Sequence, residues 1–336
     1  MNRVLGVPLA ALLSLALMPG DPRGERPLSP QTRAARDLVA DLSAGDAAAR
    51  AKAACELRDL GDGAAEAIQP LVNLLGDAAP VDPSVCGKRS ALSNRWWRGG
   101  DDDLTSPGEQ AAAALAAVGT RAFQPVLTAL RGTSWPARRN AAWTLGALDD
   151  RRAASALVEA LKDREPGVRE QAAWALGALD ETDAVLPLVG ALKDADARVR
   201  RQAAWALGAI DDRRAVDGLS AALTDADDKT REQAAWALGA IDAGDSVPAL
   251  IRAVADKTAR VREQAAWALG AIDDSRAVDV LIRALADPDG GVRKQAAWAL
   301  GAIGDPRALQ GLLPSLKDPD AGVRKQAAWA IGVIGK

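Results

Sequence analysis

The chain has 336 residues, a formal net charge of −3 and neither histidine nor tyrosine. Without histidine it lacks the commonest general base and metal ligand, and two cysteines are too few for a zinc site of the Cys/His type. A slightly acidic chain also lacks the basic excess that neutralises nucleic-acid phosphates. We therefore expect no cofactor, no metal site and no nucleic-acid partner, and we interpret the chain as a non-enzyme.

The first 20 residues contain one arginine followed by a mostly apolar run, which is the pattern of a secretory signal peptide. The run is shorter than the ~20 apolar residues that span a bilayer. We expect an exported protein, periplasmic or extracellular, with no membrane insertion after signal removal. An uncleaved signal would leave the protein anchored to the membrane. Residues 21–32 contain three prolines and are predicted to form a linker.

A tryptophan recurs every 31 residues in near copies of "KQAAWALGAIG", which stands at 294–304. A period of this length is typical of stacked repeats rather than of separate globular domains. The repeated tryptophans are Trp143, Trp174, Trp205, Trp236, Trp267, Trp298 and Trp329.

Each repeat contains two amphipathic helical patterns. In 199–210 the apolar residues fall on one helical face, and 213–223 carries a second apolar stripe. Asp211 and Asp212 lie between the two helices and are predicted to cap the second one. No segment alternates with period two, so we predict an all-α fold without strands. Helices this short must be buried against their partner and against the next repeat.

The repeat pattern weakens toward the N-terminus. Cys55 and Ala113 take the tryptophan position there, so we predict divergent repeats over 33–136 and regular 31-residue repeats over 137–336.

An insertion of roughly 77–106 interrupts the divergent repeats. It is rich in Pro, Gly, Ser and Asp, and is predicted to be a loop that ends where Ser106 caps the next helix and Pro107 enters its first turn. Its three aspartates at 101–103 offer carboxylates for a loosely held Ca²⁺, the alternative to a solvated acidic run.

The motif "VRxQAAWALGAIDDxRAVxxLIxALxD" resembles the short HEAT-like repeats named after phycocyanobilin lyases, over about 33–336. The resemblance implies a right-handed α-solenoid of about nine two-helix HEAT-like repeats. The family includes chromophore lyases, an iron-dependent hydroxylase and many binding scaffolds. The hydroxylase group uses His-Glu pairs, and this chain has no histidine to supply them.

The resemblance also implies an Asp in the turn between helices and an Arg six residues later. We expect a structural role, in which the Arg crosses to its own or a neighbouring turn; a functional anion site is the alternative. Ala44 and Gly132 replace the Asp in early repeats, which are therefore predicted to lack the pairing. The pairs are Asp163–Arg169, Asp194–Arg200, Asp225–Arg231, Asp256–Arg262, Asp287–Arg293 and Asp318–Arg324.

On a helical wheel Trp205 points away from its own partner helix. In the family this side lines the concave surface, so the resemblance implies that the tryptophans run along a groove. Glutamines accompany them: Gln171, Gln202, Gln233, Gln264, Gln295 and Gln326. A row of mixed charge runs on the other side: Arg139, Glu170, Arg201, Glu232, Glu263, Lys294 and Lys325.

Two interpretations of the tryptophans remain open. Each indole either seals the seam between neighbouring helices or forms part of a binding face. We expect an exported protein-protein interaction scaffold that binds a protein or peptide on the Trp/Gln face. The alternative is a chromophore lyase-like or flat-ligand-binding protein. The sequence names neither the partner nor the oligomeric state.

The two cysteines are expected to pair in an oxidising compartment. The alternative is a buried small residue at Cys55 and a free thiol at Cys86. A disulfide would draw the insertion, with Trp96 and Trp97, over the N-terminal end of the predicted groove.

Overall fold

The computed structural model describes residues 30–89 and 104–335. In these residues 18 α-helices form nine stacked pairs, which confirms the predicted α-solenoid of nine two-helix repeats. The second helix of each pair, here called the Trp-type helix, carries the tryptophan position. The partner helices are α1 (Pro30–Asp41), α3 (Ile68–Leu74), α5 (Phe123–Leu130), α7 (Ala154–Ala160), α9 (Val185–Ala191), α11 (Val216–Ala222), α13 (Val247–Ala253), α15 (Val278–Ala284) and α17 (Ala308–Leu312). The Trp-type helices are α2 (Ala47–Asp59), α4 (Pro107–Val118), α6 (Trp135–Ala147), α8 (Pro166–Ala178), α10 (Ala197–Ile210), α12 (Asp228–Ala240), α14 (Ala259–Ile272), α16 (Gly290–Ile303) and α18 (Ala321–Ile334).

The core is a continuous layer between the two rows of helices. Each Trp-type helix packs against its own partner helix and against the Trp-type helices before and after it. In α10 the predicted apolar stripe is buried, from Val199 to Ile210. Because the main contacts of the described helices are with neighbouring elements, this part of the chain has no central core, as expected of a solenoid.

The turn between the two helices uses its two aspartates differently. Asp212 accepts a hydrogen bond from the backbone N–H of Arg214 at 2.8 Å and begins a 3₁₀ turn, so it caps as predicted. Asp211 instead ends α10 in the left-handed conformation, with φ of 54°. The prediction that both aspartates cap the second helix is therefore wrong for Asp211. The equivalent residues with positive φ are Asp149, Asp180, Asp242, Asp273 and Gly304.

The described part of the insertion is more ordered than a plain loop. A 3₁₀ turn covers Pro83–Arg89, and Val81 and Thr105 form an isolated antiparallel bridge with both N–O distances at 2.8 Å. Ser106 accepts a hydrogen bond from the backbone N–H of Glu109 at 3.2 Å, and Pro107 is the first residue of α4, as predicted.

Several sequence predictions lie outside the described residues. These are the signal peptide, residues 21–29 of the predicted linker, Trp96, Trp97 and the acidic run at 101–103. Helix α1 begins at Pro30, inside the predicted linker. Among the described helices none alone is long and apolar enough to cross a membrane; Pro107–Val118 and Thr120–Leu130 reach that length only together, across a bend of 118°.

Candidate binding face on the Trp-type helices

The seven repeated tryptophans, here called the Trp row, lie on consecutive Trp-type helices. The rings of Trp143 through Trp298 are partly buried against the core, and Trp329 is 43% exposed. Trp143 and Trp174 stack with their planes at 9° and their ring centroids 6.0 Å apart. The row therefore presents indole surface to solvent while part of each ring is packed.

A glycine three residues after each tryptophan explains the packed part. A Cβ atom at Gly208 would lie 2.7 Å from Trp236 Cζ3 and 2.8 Å from Ala237 Cα in the next repeat. Carbon atoms at van der Waals contact are about 3.5–4.0 Å apart, so no larger residue fits without moving the helices. The indole edge thus covers the seam, as the first interpretation expects. The same contact recurs at Gly146, Gly177, Gly239, Gly270 and Gly301.

The tryptophans of the Trp row also have hydrogen-bond donors that the protein does not use. The indole N–H groups of Trp174, Trp236, Trp267 and Trp298 donate no hydrogen bond to any residue in the described ranges. Buried indoles usually find a partner within the protein for this donor. The seam interpretation accounts for the ring edge, but not for the unused donors.

The glutamines three residues before each tryptophan are here called the Gln row. The side chains of this row are most buried toward its N-terminal end. Gln171 is only 3% exposed, whereas Gln202, Gln233, Gln264 and Gln295 are half-buried. Two buried side-chain atoms of the row, Gln171 Oε1 and Gln202 Nε2, have no hydrogen-bond partner. An unsatisfied buried polar atom lowers the free energy of unfolding by about 1–3 kcal/mol, so these two atoms destabilise the folded protein.

Sequence reasoning missed two members of the Gln row. Gln110 and Asn140 stand three residues before Ala113 and Trp143, and this offset was the available signal. Both are buried, and both have partners: Gln110 Nε2 donates to Thr105 Oγ1 at 2.9 Å, and Asn140 Nδ2 donates to the Leu75 carbonyl at 2.9 Å. The fold therefore can satisfy a buried amide at this position, but it leaves Gln171 Oε1 unpaired.

A recess of about 180 Å³ opens between two members of the Trp row. It is lined by Trp236, Trp267, Gln264, Gln295 and Glu263, so tryptophans, glutamines and one charge from consecutive repeats meet in one place. The predicted site residues are thus brought together locally, within neighbouring repeats.

The row of mixed charge has different surroundings along its length. Burial raises the pKa of Glu170, although Arg198 and Arg201 oppose the shift. Burial also raises the pKa of Glu232, and Asp228 adds to this. Toward the C-terminus Lys294 and Lys325 are exposed. The charged row is therefore partly buried and mixed in sign in the middle of the stack, and exposed and basic at its C-terminal end.

Cys55 and Cys86 form a disulfide, with their Cα atoms 5.6 Å apart. Cys55 is 4% exposed and Ala113 is 6% exposed, and the turn at Pro83–Arg89 contacts α2. Gln110 Oε1 lies 3.2 Å from Cys55 Sγ, a contact without a proton because the sulfur is in the disulfide. The first two tryptophan positions are thus buried, and the row begins at Trp143.

The Asp–Arg pairs link one repeat to the next. Arg200 Nη1 donates to the Asp194 and Ala195 carbonyls of its own turn, at 2.9 and 3.2 Å, while Nε and Nη2 donate to the Asp225 carboxylate at 2.7 and 2.8 Å. Four of the five guanidinium N–H groups are used in this way, which leaves little for a bound anion. The geometry favours the structural interpretation.

The prediction that early repeats lack this pairing is wrong. Since the carboxylate comes from the following repeat, Ala44 and Gly132 need to supply only their carbonyls. Arg50 bonds to Asp77 at 2.7 Å, and Arg138 bonds to Asp163 at 2.6 and 2.9 Å.

The Asp carboxylates are held in their ionised form. Burial alone would raise the pKa of Asp225, but hydrogen bonds from Arg200 and from the Asp227 backbone N–H outweigh it and the pKa is lowered. A second recess, of about 540 Å³, lies beside this pair and is lined by Asp225, Arg231 and Asp256 among others. Arg231 in this recess already bonds to the Asp256 carboxylate, and no group of three or more His, Cys, Asp or Glu residues in the described chain is arranged to hold a metal ion.

A family model for HEAT repeats matches six overlapping segments, which together span 108–332 and hence most of the chain. The chain belongs to the HEAT repeat family. This membership confirms the resemblance from which the fold was predicted. The segments are 108–167, 123–196, 155–230, 185–267, 216–290 and 247–332. The comparison with curated proteins found no match.

Among solved structures, this HEAT repeat chain is similar to Kap95 in its complex with Nup1, with a TM-score of 0.66 and 16% identity over 89% of this chain and 46% of Kap95. YibA of Escherichia coli gives a TM-score of 0.56 and 22% identity over 70% of this chain and 89% of YibA. Both likenesses show the fold alone. The CpcE–CpcF phycocyanin lyase complex from Nostoc gives 26% identity over 62% of this chain and 94% of the matched chain, but a TM-score of only 0.43, which says nothing about activity.

Proposed function

We propose that this HEAT repeat protein is a non-catalytic scaffold that binds a protein or peptide on the Trp/Gln face. One observation carries the proposal: partly exposed indoles with unused N–H donors run beside glutamines whose buried atoms lack partners. A bound polypeptide would cover the exposed indole surface and offer hydrogen-bond acceptors to the indole N–H groups. Tryptophan is enriched, with Tyr and Arg, among the residues that dominate protein interfaces.

A polypeptide suits this face better than a flat small molecule. The recess between Trp236 and Trp267 holds about 180 Å³. Small-molecule pockets are commonly ~300–1,000 Å³ and enclose most of their ligand. A row of indoles spread over seven repeats is better matched by a partner that contacts several repeats in succession, with each repeat adding a modest contribution. A chromophore or other flat ligand is therefore the second candidate.

We also propose that the protein is exported. The N-terminal 20 residues have the pattern of a signal peptide, and a disulfide between Cys55 and Cys86 persists best in an oxidising compartment. Mass spectrometry of the protein purified from its native host tests this. We expect a protein that lacks the N-terminal segment and has no free thiols. A full-length chain with two free thiols would contradict export.

The binding proposal is tested with a probe that needs no knowledge of the partner. A phage-displayed library of linear random peptides is selected on the oxidised protein, and the best peptide is synthesised. Replacing Trp236, Trp267 and Trp298 together by Leu keeps apolar cover over the seam but removes the ring faces and the N–H donors. We expect at least about tenfold weaker binding, since these residues are expected to dominate the interface.

Trp135 supplies the matched control. It is 44% exposed at the start of α6 and lies outside the Trp row, so Trp135→Leu should leave binding unchanged. Unchanged binding by the triple variant, or failure to select any peptide, would contradict the proposal. A linear tetrapyrrole added in place of the peptide tests the second candidate, which predicts a Trp-dependent change in its absorption.

A further inference from the structure

The recess between Trp236 and Trp267 is lined by residues that attract positive charge. Its lining consists of two tryptophans, two glutamines and one glutamate, drawn from the three consecutive helices α12, α14 and α16, and it includes no cationic residue. Indole rings attract cations through their electron-rich faces, and a glutamate adds a full negative charge. At about 180 Å³ the recess is smaller than the ~300–1,000 Å³ of pockets that enclose a whole small molecule, so it suits a single side chain.

The carboxylate of Glu263 is positioned by its neighbours but has capacity for a further partner. Arg260 Nη1 donates a hydrogen bond to Glu263 Oε2 at 2.9 Å, and the first turn of α16 lies beside the carboxylate, since a Cβ atom at Gly291 would be 3.3 Å from Oε1. The Arg260 side chain is 71% exposed, whereas that of Glu263 is only 18% exposed. Ion pairs with so exposed a partner are weak, and a carboxylate can accept several hydrogen bonds. A second cation can therefore share or replace the bond from Arg260.

The charged groups around Glu263 leave an excess of negative charge. Glu232, on the neighbouring helix α12, is half-buried and forms no ion pair with any described residue. Burial raises the pKa of Glu232; Arg260 opposes this shift, and Asp228 and Glu263 add to it. Together with Lys229, which also opposes it, these groups comprise three carboxylates and two cations. One further cation would balance them.

We propose that the recess between Trp236 and Trp267 binds a cationic side chain, Lys or Arg, of the polypeptide partner. This inference rests on the proposed function and specifies its partner, because the partner residue that meets this repeat must be basic. Its ammonium or guanidinium group would contact the indoles and the Glu263 carboxylate, while Gln264 and Gln295 line the remainder of the recess.

The other repeats differ in charge, which confines the site to this part of the row. Lys294 takes the position of Glu263 in the next repeat and is exposed. Glu170, the remaining acidic member of the charged row, is buried and has three arginines near it. A basic residue attracted by Glu263 would therefore be repelled one repeat further on. Repulsion of this kind adds specificity to a binding face, so we expect the partner to be basic at α12 and α14 and not basic at α16.

The test measures the coupling between Glu263 and one residue of the library-selected peptide. Each Lys of the peptide is replaced in turn by norleucine and each Arg by citrulline, which keep most of the side chain and remove its charge. One of these replacements should weaken binding to the full-length oxidised protein by about tenfold or more, as expected for close charge pairs across an interface. Glu263→Gln should weaken binding of the original peptide to a similar extent and leave binding of that modified peptide nearly unchanged.

Arg260→Gln should have the opposite effect. It removes the resident partner of the Glu263 carboxylate, so the original peptide should bind about two- to fivefold more tightly, and the modified peptide should gain nothing. Unchanged or weaker binding of the original peptide would overturn the inference. Glu159→Gln and Arg283→Gln are the charge-matched controls, because both residues are exposed on partner helices, α7 and α15, and neither variant should alter binding.

Two results separate this inference from the proposed function. A selected peptide without Lys or Arg, or a series in which no replacement couples to Glu263, would overturn the cation inference and leave the proposed function intact if binding still depends on the Trp row. Binding that is unchanged in the triple Trp variant would overturn both.

Melting temperatures of Glu263→Gln and Arg260→Gln verify that the variants are folded, and the modified peptides test the same contact on the unchanged protein.

Discussion

The contact between Gly208 and the next repeat gives a prediction whose size follows from the structure. Replacing Gly208 by Ala places a Cβ atom 2.7 Å from Trp236 Cζ3 and 2.8 Å from Ala237 Cα. The ordinary separation is about 3.5–4.0 Å, so α10 and α12 must separate by roughly 1 Å at their closest point. Overpacking of this kind costs about 1–3 kcal/mol. Alanine is also a better helix former than glycine by about 1 kcal/mol, which opposes the loss.

Gly332 provides a control at the same position of the repeat. It lies three residues after Trp329 in α18, and an added Cβ atom there would meet nothing within 4 Å. Gly332→Ala should therefore stabilise the protein by up to about 1 kcal/mol through helix propensity alone. The difference between the two variants isolates the packing effect, and we expect it to be about 1–3 kcal/mol.

Urea denaturation followed by far-UV circular dichroism measures both free energies of unfolding. Gly190→Ala, in α9 and also without a neighbour within 4 Å, extends the control to an interior repeat. Equal stabilisation by Gly208→Ala and Gly332→Ala would refute the close approach of the helices, and with it the account of why glycine follows each tryptophan.

Three further predictions concern the turns and the disulfide. Because the pKa of Asp225 and its equivalents is lowered from 3.8, the contribution of these carboxylates to the free energy of unfolding should be constant above that pH and be lost as pH drops through the folded-state pKa values; denaturation titrations between pH 7 and 2 check this, and Asp225→Asn should lose less free energy of unfolding on acidification than the unchanged protein. Asp242→Gly should raise the melting temperature, because Asp242 has φ of 51° and a left-handed residue other than glycine costs about 1–2 kcal/mol; a lower melting temperature would contradict this. Replacing Cys55 and Cys86 by Ala should cost about 3–4 kcal/mol in urea denaturation, as expected for a loop closed by residues 31 apart; an unchanged free energy would contradict it.

The sequence was sufficient to predict the helices, because their apolar stripes and period are local properties. The nine pairs, the cap at Ser106 and the capping role of Asp212 all follow from residues near one another in the chain. The Asp–Arg contacts required the stacking geometry. Arg200 is six residues from Asp194 in sequence, yet it bonds to the carboxylate of Asp225, which is brought near only when the next repeat is in place.

The burial of the tryptophans and the hydrogen bonds of the glutamines depend on distances between repeats, which the sequence pattern does not specify. The wheel places Trp205 away from its partner helix, but the buried share of each indole is set by how closely Gly177 and its equivalents let the next helix approach. Likewise, Gln171 and Gln110 are the same residue type at the same position. Only the fold determines that Gln110 meets Thr105 while Gln171 Oε1 meets nothing.

Site-specific photo-crosslinking tests most directly whether an extended partner lies along the Trp/Gln face. Positions 201, 232 and 263, which belong to the charged row beside the tryptophans, are replaced in turn by p-benzoylphenylalanine and irradiated with the library-selected peptide. Position 310 on α17 serves as the control. We predict crosslinks at the three face positions, with the attached residue advancing along the peptide from one repeat to the next. Crosslinks at position 310, or face crosslinks that all reach the same peptide residue, would contradict an extended partner bound along this face.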